Sequence, residues 1–229
     1  MPSPVKAALE DLLRTRRLQA EAPLLRGEGP RTVRLSTGLG AVDNLTGGGL
    51  PRGQLSEIHG PVSSGRTGLA LAFIARATGR GALAAWLDPA DRFDPASAEA
   101  TGADLTRLLW LRGRALPEGL AAVATLLGSG LFEAIVLDLA AVAPRELRRL
   151  PGTTWIRLQR LVAPTPAALL LLAHGHVACG PGGVSLALQP ARPRWSGVSG
   201  PGRLLRGLDA SASTVRLGSH HAAFTLHAL

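Results

Sequence analysis

The chain has 229 residues, with 25 basic against 16 acidic side chains and a net charge of +9. At about 100–200 residues per domain this is one large domain, or one with an appendage, long enough to bury a core without a disulfide or a structural metal. One cysteine, Cys179, excludes a disulfide framework and a multi-cysteine zinc site, and 46% hydrophobic with 18% charged residues is the composition of a globular chain.

Lys6 is the only lysine, so nearly all of the positive charge is arginine. Such a surface favours polyanions or an acidic protein partner. An aromatic content of 3% is too sparse for a base-stacking platform. The longest apolar run, Ala167 to Ala173, falls far short of the ~20 residues of a membrane span. The N-terminus has mixed charges and no apolar signal core, so a cytoplasmic protein is expected.

In chain order, Val5, Leu9, Leu12 and Leu13 predict a helix over residues 4–20, followed by a Pro/Gly linker. That helix either docks on something else or packs on its own domain. From residue 33 the pattern alternates short apolar runs with amphipathic stretches. Strands are predicted at Leu55–Ile58, Leu83–Leu87, Leu108–Leu111, Ile135–Leu137 and Leu169–Ala173, and helices at Thr67–Thr78, Pro117–Ser129 and Thr153–Val162. This alternation predicts an α/β fold whose mostly parallel sheet is flanked by helices. After Gly182 the strands Val184–Leu188, Val215–Leu217 and Phe224–Leu226 follow one another without helices, and are expected as antiparallel additions at one edge. The expected division is an N-terminal helix at 1–22, a linker at 23–32, a core at 33–190, and a basic Arg/Trp segment with terminal strands at 191–229.

Gly60-Pro61-Val62-Ser63-Ser64-Gly65-Arg66-Thr67 follows a predicted strand and opens a predicted helix. That is the context of a phosphate-binding loop: backbone N–H groups and a helix N-terminus face an anion, and Thr67 is placed to hold Mg²⁺. The pattern calls for lysine where the chain has Arg66, and a planar guanidinium does not replace a compact ammonium in a tight cradle. Asp138, closing the apolar run Ile135-Val136-Leu137, is the candidate metal carboxylate. The candidate nucleotide site is therefore Gly60, Ser63, Ser64, Gly65, Arg66, Thr67 and Asp138.

Ser36-Thr37-Gly38, Asp43, Gly47-Gly48-Gly49-Leu50-Pro51-Arg52-Gly53 and Glu57-Ile58-His59-Gly60-Pro61 occur in an order that resembles the opening of the RecA recombinase core, and the likeness continues through Trp86-Leu87-Asp88 and Asp94-Pro95 to Asp138. The resemblance covers roughly residues 33 to 190 and implies a RecA-like P-loop core. It also marks departures. Where the resemblance implies a catalytic glutamate the chain has Ala90, and where it implies an aromatic against adenine the chain has Ser97. The γ-phosphate sensor falls near His174-Gly175, and both DNA-binding loops are short. A core with this pattern of loss, behind a basic helix, is similar to the ImuA proteins, RecA-related accessory factors of the bacterial SOS response.

That resemblance implies a non-catalytic scaffold in translesion synthesis, with the ImuB adaptor, RecA and an error-prone polymerase complex as partners. No cofactor is expected beyond weak binding of ATP with Mg²⁺. The alternative is an active DNA-dependent ATPase of the RecA superfamily, with Asp88 or Asp91 as base.

Arg192, Arg194, Trp195, Arg203 and Arg206 form either a solvated loop or a docking surface for protein or DNA, since arginine and tryptophan are interface anchors. Arg145, Arg148 and Arg149 are a second candidate basic patch. His174 and His176 near Cys179 lack a further ligand, and His220-His221 is remote in sequence, so no metal site is expected.

Overall fold

The computed structural model describes residues 33–113, 115–178, 182–198, 200–215 and 221–227. The expected helix over residues 4–20, its linker, Cys179 and His220 lie outside the described residues. The elements are β1 (Arg34–Leu35), α1 (Gly40–Thr46), β2 (Leu50–Pro51), β3 (Gln54–His59), α2 (Arg66–Thr78), β4 (Leu83–Asp88), α3 (Pro95–Ala100), a 3-10 turn at Leu105–Arg107, β5 (Leu108–Arg112), α4 (Leu116–Ser129), β6 (Phe132–Asp138), α5 (Pro144–Leu147), α6 (Thr153–Val162), β7 (Ala168–Ala173), β8 (Ser185–Leu188), β9 (Arg192–Ser196), β10 (Leu204–Thr214) and β11 (His221–His227).

Nine strands form one sheet in the order β11-β10-β8-β3-β7-β6-β4-β5, with β9 paired to β10. The pairs from β8 to β5 are parallel, and β10 is antiparallel to β8, β9 and β11. The parallel strands are apolar along their whole length because helices cover both faces. Leu170 and Leu172 of β7 pack with Ile58, Trp86 and Val136 beneath Leu69, Phe73 and Ile74 of α2. Leu169 and Leu171, one residue out of phase, pack with Ala85 and Ile135 beneath Val123 and Leu126 of α4 and Trp155 and Leu158 of α6.

The motif at the start of the core is structural. The Asp43 carboxylate accepts hydrogen bonds from Ser36 Oγ at 2.6 Å, Thr37 N at 2.8 Å and Thr37 Oγ1 at 2.7 Å, tying the turn before α1 to the helix. Gly49 has φ +114, and a Cβ there would stand 2.0 Å from the Leu35 carbonyl oxygen. Only glycine lets β1 and β2 approach this closely.

One expected strand is displaced. The strand expected at Val215–Leu217 is instead β10, which ends at Thr214; Val215 is a bend, and Arg216 and Leu217 lie outside the described residues. Residues 192–196, expected as either a solvated loop or a docking surface, are strand β9. Small alternating side chains hid β10. Ala210 and Ala212 are buried while Ser211 and Ser213 are half-buried, and alanine and serine carry little of the contrast on which periodicity rests.

Candidate nucleotide site and flanking basic ribbon

The loop from Gly60 to Gly65 joins β3 to α2, so α2 begins where the loop ends. Ser63 takes φ +60 and Gly65 φ +88, the left-handed turns that wrap this loop. Ser63 and Thr67 are exposed. Ser64 is buried, and its Oγ has no hydrogen-bond partner. Gly60 is packed against the end of β8, where a Cβ would stand 2.7 Å from the Leu188 carbonyl oxygen.

Arg66 does not project into solvent. Its side chain is 8% exposed, and Nη1 donates to the Gly60 carbonyl oxygen, back across the loop. Burial lowers the Arg66 pKa, and the charge of Asp138 partly offsets that. Asp138, at the end of β6, accepts from Ala140 N at 2.9 Å. Burial pushes its carboxyl up to about 6; the Ala140 hydrogen bond opposes this, Asp88 adds to it, and Arg66 opposes it. The expected site residues thus gather at the C-terminal ends of β3 and β6.

A cavity of about 480 Å³ opens beside the loop, bounded by Ser63–Thr67, by Ser97 and Thr101 near α3, and by an apolar wall of Leu205, Leu208 and Leu226. Leu226 comes within 2.9 Å of where a Cβ on Gly65 or Gly68 would stand. No local pattern in the chain marks this wall as part of the site. It is built by the β10–β11 pairing, in which Leu208 faces Leu226.

Two carboxylates at and just after the end of β4 have partners of their own. Asp88, 1% exposed, accepts from Phe93 N at 2.7 Å through Oδ2, while Oδ1 has no partner. Asp91 is clamped by Arg112, with Nε at 3.0 Å and Nη2 at 2.9 Å. Arg112 in turn lies 4.7 Å over the Trp110 ring. Ala90 lies between these two aspartates.

His176 Nδ1 lies 2.5 Å from Glu57 Oε2, and Val177 N donates to Glu57 Oε1 at 2.7 Å. The His176 ring centroid is 5.4 Å from that of His59. Burial lowers the His59 pKa, opposed by Glu57 and reinforced by His176. Glu57 therefore holds the exit of β7 against the strand that feeds the phosphate loop, a pairing 119 residues apart in sequence. His174 is exposed, and His221 is exposed at the start of β11. Among the described residues no group of three or more His, Cys, Asp or Glu is arranged to hold a metal ion.

The expected basic surface is a two-stranded ribbon, β9 against the N-terminal half of β10. Arg192, Arg194, Trp195, Arg203 and Arg206 are all exposed. Arg203 lies 4.9 Å over the Trp195 ring, Arg206 Nε donates to Ser196 Oγ at 2.7 Å, and Arg194 reaches Asp209 at 3.9 Å. Trp195 lies opposite Leu205, which lines the cavity. The ribbon is tied to the loop by Ala191 N, which donates to the Ser63 carbonyl oxygen at 3.1 Å. Arg145, Arg148 and Arg149 sit apart, exposed around the short helix α5.

Among the described residues no helix is long and apolar enough to cross a membrane. Comparison with known proteins matches residues 23–153 to the RecA N-terminal domain. The chain is 42% identical over 132 residues to Protein RecA of Rubrobacter xylanophilus, covering 56% of this chain and 38% of that protein. It is 43% identical over 128 residues to Protein RecA of Chlorobaculum tepidum, covering 55% of this chain and 37% of that protein. Against Protein RecA of Lactobacillus delbrueckii subsp. bulgaricus it is 41% identical over 122 residues, 52% of this chain and 37% of the relative. The chain thus spans well under half the length of these relatives. With a loop from Gly60 to Gly65 between β3 and α2, a parallel sheet covered on both faces and a family match over more than half its residues, the chain belongs to the RecA N-terminal domain family.

Proposed function

We propose that this chain is a non-catalytic, ImuA-like accessory protein of bacterial DNA-damage-induced mutagenesis, acting in the cytoplasm through protein contacts. The observation that carries the reading is the state of the acidic groups at the C-terminal end of β4. Ala90 occupies the position at which the RecA resemblance implies the catalytic base. Its neighbour Asp91 is held by two guanidinium nitrogens of Arg112, and Asp88 Oδ2 is engaged with a backbone N–H. Positioning and charge stabilisation supply nearly all of phosphoryl-transfer catalysis, so a site with alanine at the base position, one flanking aspartate clamped by Arg112 and the other turned onto the Phe93 N–H lacks the aligned group that activates water.

What remains is surface. The β9–β10 ribbon combines an exposed tryptophan with four arginines, a composition that anchors interfaces. In this reading it engages the ImuB adaptor or RecA, and links the error-prone polymerase complex to damaged DNA. RecA protomers assemble head to tail, and a homologue compatible with one face and lacking working ATP chemistry would cap such a filament. The test is to mix purified protein with RecA on single-stranded DNA and measure filament length, alongside pull-downs with ImuB. Shorter filaments, or an ImuB complex lost in the Trp195→Ala, Arg203→Ala double variant, support the reading. No binding to either partner contradicts it.

A second reading, a DNA-dependent ATPase, is favoured by one observation: the cavity beside the loop stays open at about 480 Å³. Arg66 would then be an adapted phosphate contact.

A further inference from the structure

The phosphate loop keeps most of what an anion needs. Gly65 and Ser63 hold the wrapped backbone. Ser64 Oγ is buried without a partner, on the wall of the cavity. Helix α2, of 13 residues, presents its N-terminus to the same space. The cation that should complete this cradle is directed elsewhere. The Arg66 guanidinium is buried and donates to the carbonyl oxygen of Gly60, itself a buried residue, with the charge of Asp138 acting on it. A cation at the first residue of a helix opposes the helix dipole, so it persists there only if other groups hold it.

We propose that Arg66 is an internal plug of the phosphate loop, an autoinhibitory contact in which the guanidinium closes on the Gly60 carbonyl and withholds the cradle from nucleoside triphosphate. To bind a phosphate chain, the loop must give up this contact and leave a buried carbonyl unpaired. A lysine at this position has a compact charge on a flexible stem and no planar fork, so it exchanges a carbonyl for a phosphate at less cost. The plug rests on loop geometry alone and does not depend on which partner the protein docks with.

The experiment measures binding of a fluorescent ATP analogue with Mg²⁺ to the full chain and to Arg66→Lys and Arg66→Ala, with thermal melting to establish that each variant is folded. Arg66→Lys is expected to bind at least about tenfold more tightly than the natural protein. Arg66→Ala, which removes the plug and supplies no cation, falls between the two. The natural protein binding as tightly as both variants would overturn the proposal. A readout independent of the variants is the arginine guanidinium NMR spectrum of the nucleotide-free natural protein. One resonance protected from solvent exchange, and missing from Arg66→Lys, is expected; uniformly rapid exchange would contradict the plug. Failure of Arg66→Lys to gain affinity sinks the plug and leaves the accessory reading untouched, whereas ATP turnover by the natural protein sinks the accessory reading and leaves the affinity comparison standing.

Discussion

Strand β7 and strand β9 belong to the same sheet and have opposite characters. All six residues of β7 are buried among leucines and alanines, whereas Arg192 to Trp195 of β9 are exposed. The parallel half of the sheet stores the stability of the fold. The antiparallel ribbon adds little to it and presents arginine and tryptophan outward. One sheet thus carries a region built for burial and a region built for exposure.

The largest effect that separates the regions is expected at Leu170, which is fully buried between strands. Leu170→Ala is predicted to destabilise by about 2–5 kcal/mol, read by urea denaturation. Asp138→Asn is predicted to act in the opposite direction. Because burial raises the Asp138 pKa to about 6, the folded state holds a proton that the unfolded chain has released. Its contribution to stability is present below about pH 4 and lost as pH rises to about 6, so the natural protein weakens across that window. The variant flattens the window and is more stable at pH 7 by up to about 3 kcal/mol, checked by melting curves at several pH values. A natural protein that strengthens from pH 4 to 6 at this site would refute that sign.

Glu57→Gln tests the latch at the exit of β7. Loss of the charge on hydrogen bonds to His176 and Val177 is predicted to cost about 1.5–3 kcal/mol, and hydrogen exchange should quicken at residues 176–178. Trp195→Ala sharpens the comparison from the other side. Its ring is 44% exposed, so stability should change by less than about 0.5 kcal/mol, while partner binding in the pull-down is lost. A large stability loss would assign Trp195 to the core.

The parallel strands were legible in the sequence because burial on both faces leaves unbroken apolar runs such as Leu169 to Leu172. The loop between β3 and α2 was legible as a strand-to-helix turn because its glycines and its flanking apolar runs are local features. The ribbon was not. In β9 the residues Arg192, Pro193 and Arg194 face solvent and lack the alternation that marks a half-buried strand, and the inward positions of β10 are alanines. The substitution at Arg66 was visible, but its turn back onto Gly60 is a matter of side-chain direction. The Glu57–His176 contact joins segments that only the sheet brings together.

The most direct measurement of the central claim is phosphate release from ATP and Mg²⁺ by the purified protein, with and without single-stranded DNA. The account predicts no turnover above background in either condition, and none for Arg66→Lys, since Ala90 supplies no base. DNA-stimulated turnover that disappears in Asp138→Ala would contradict it.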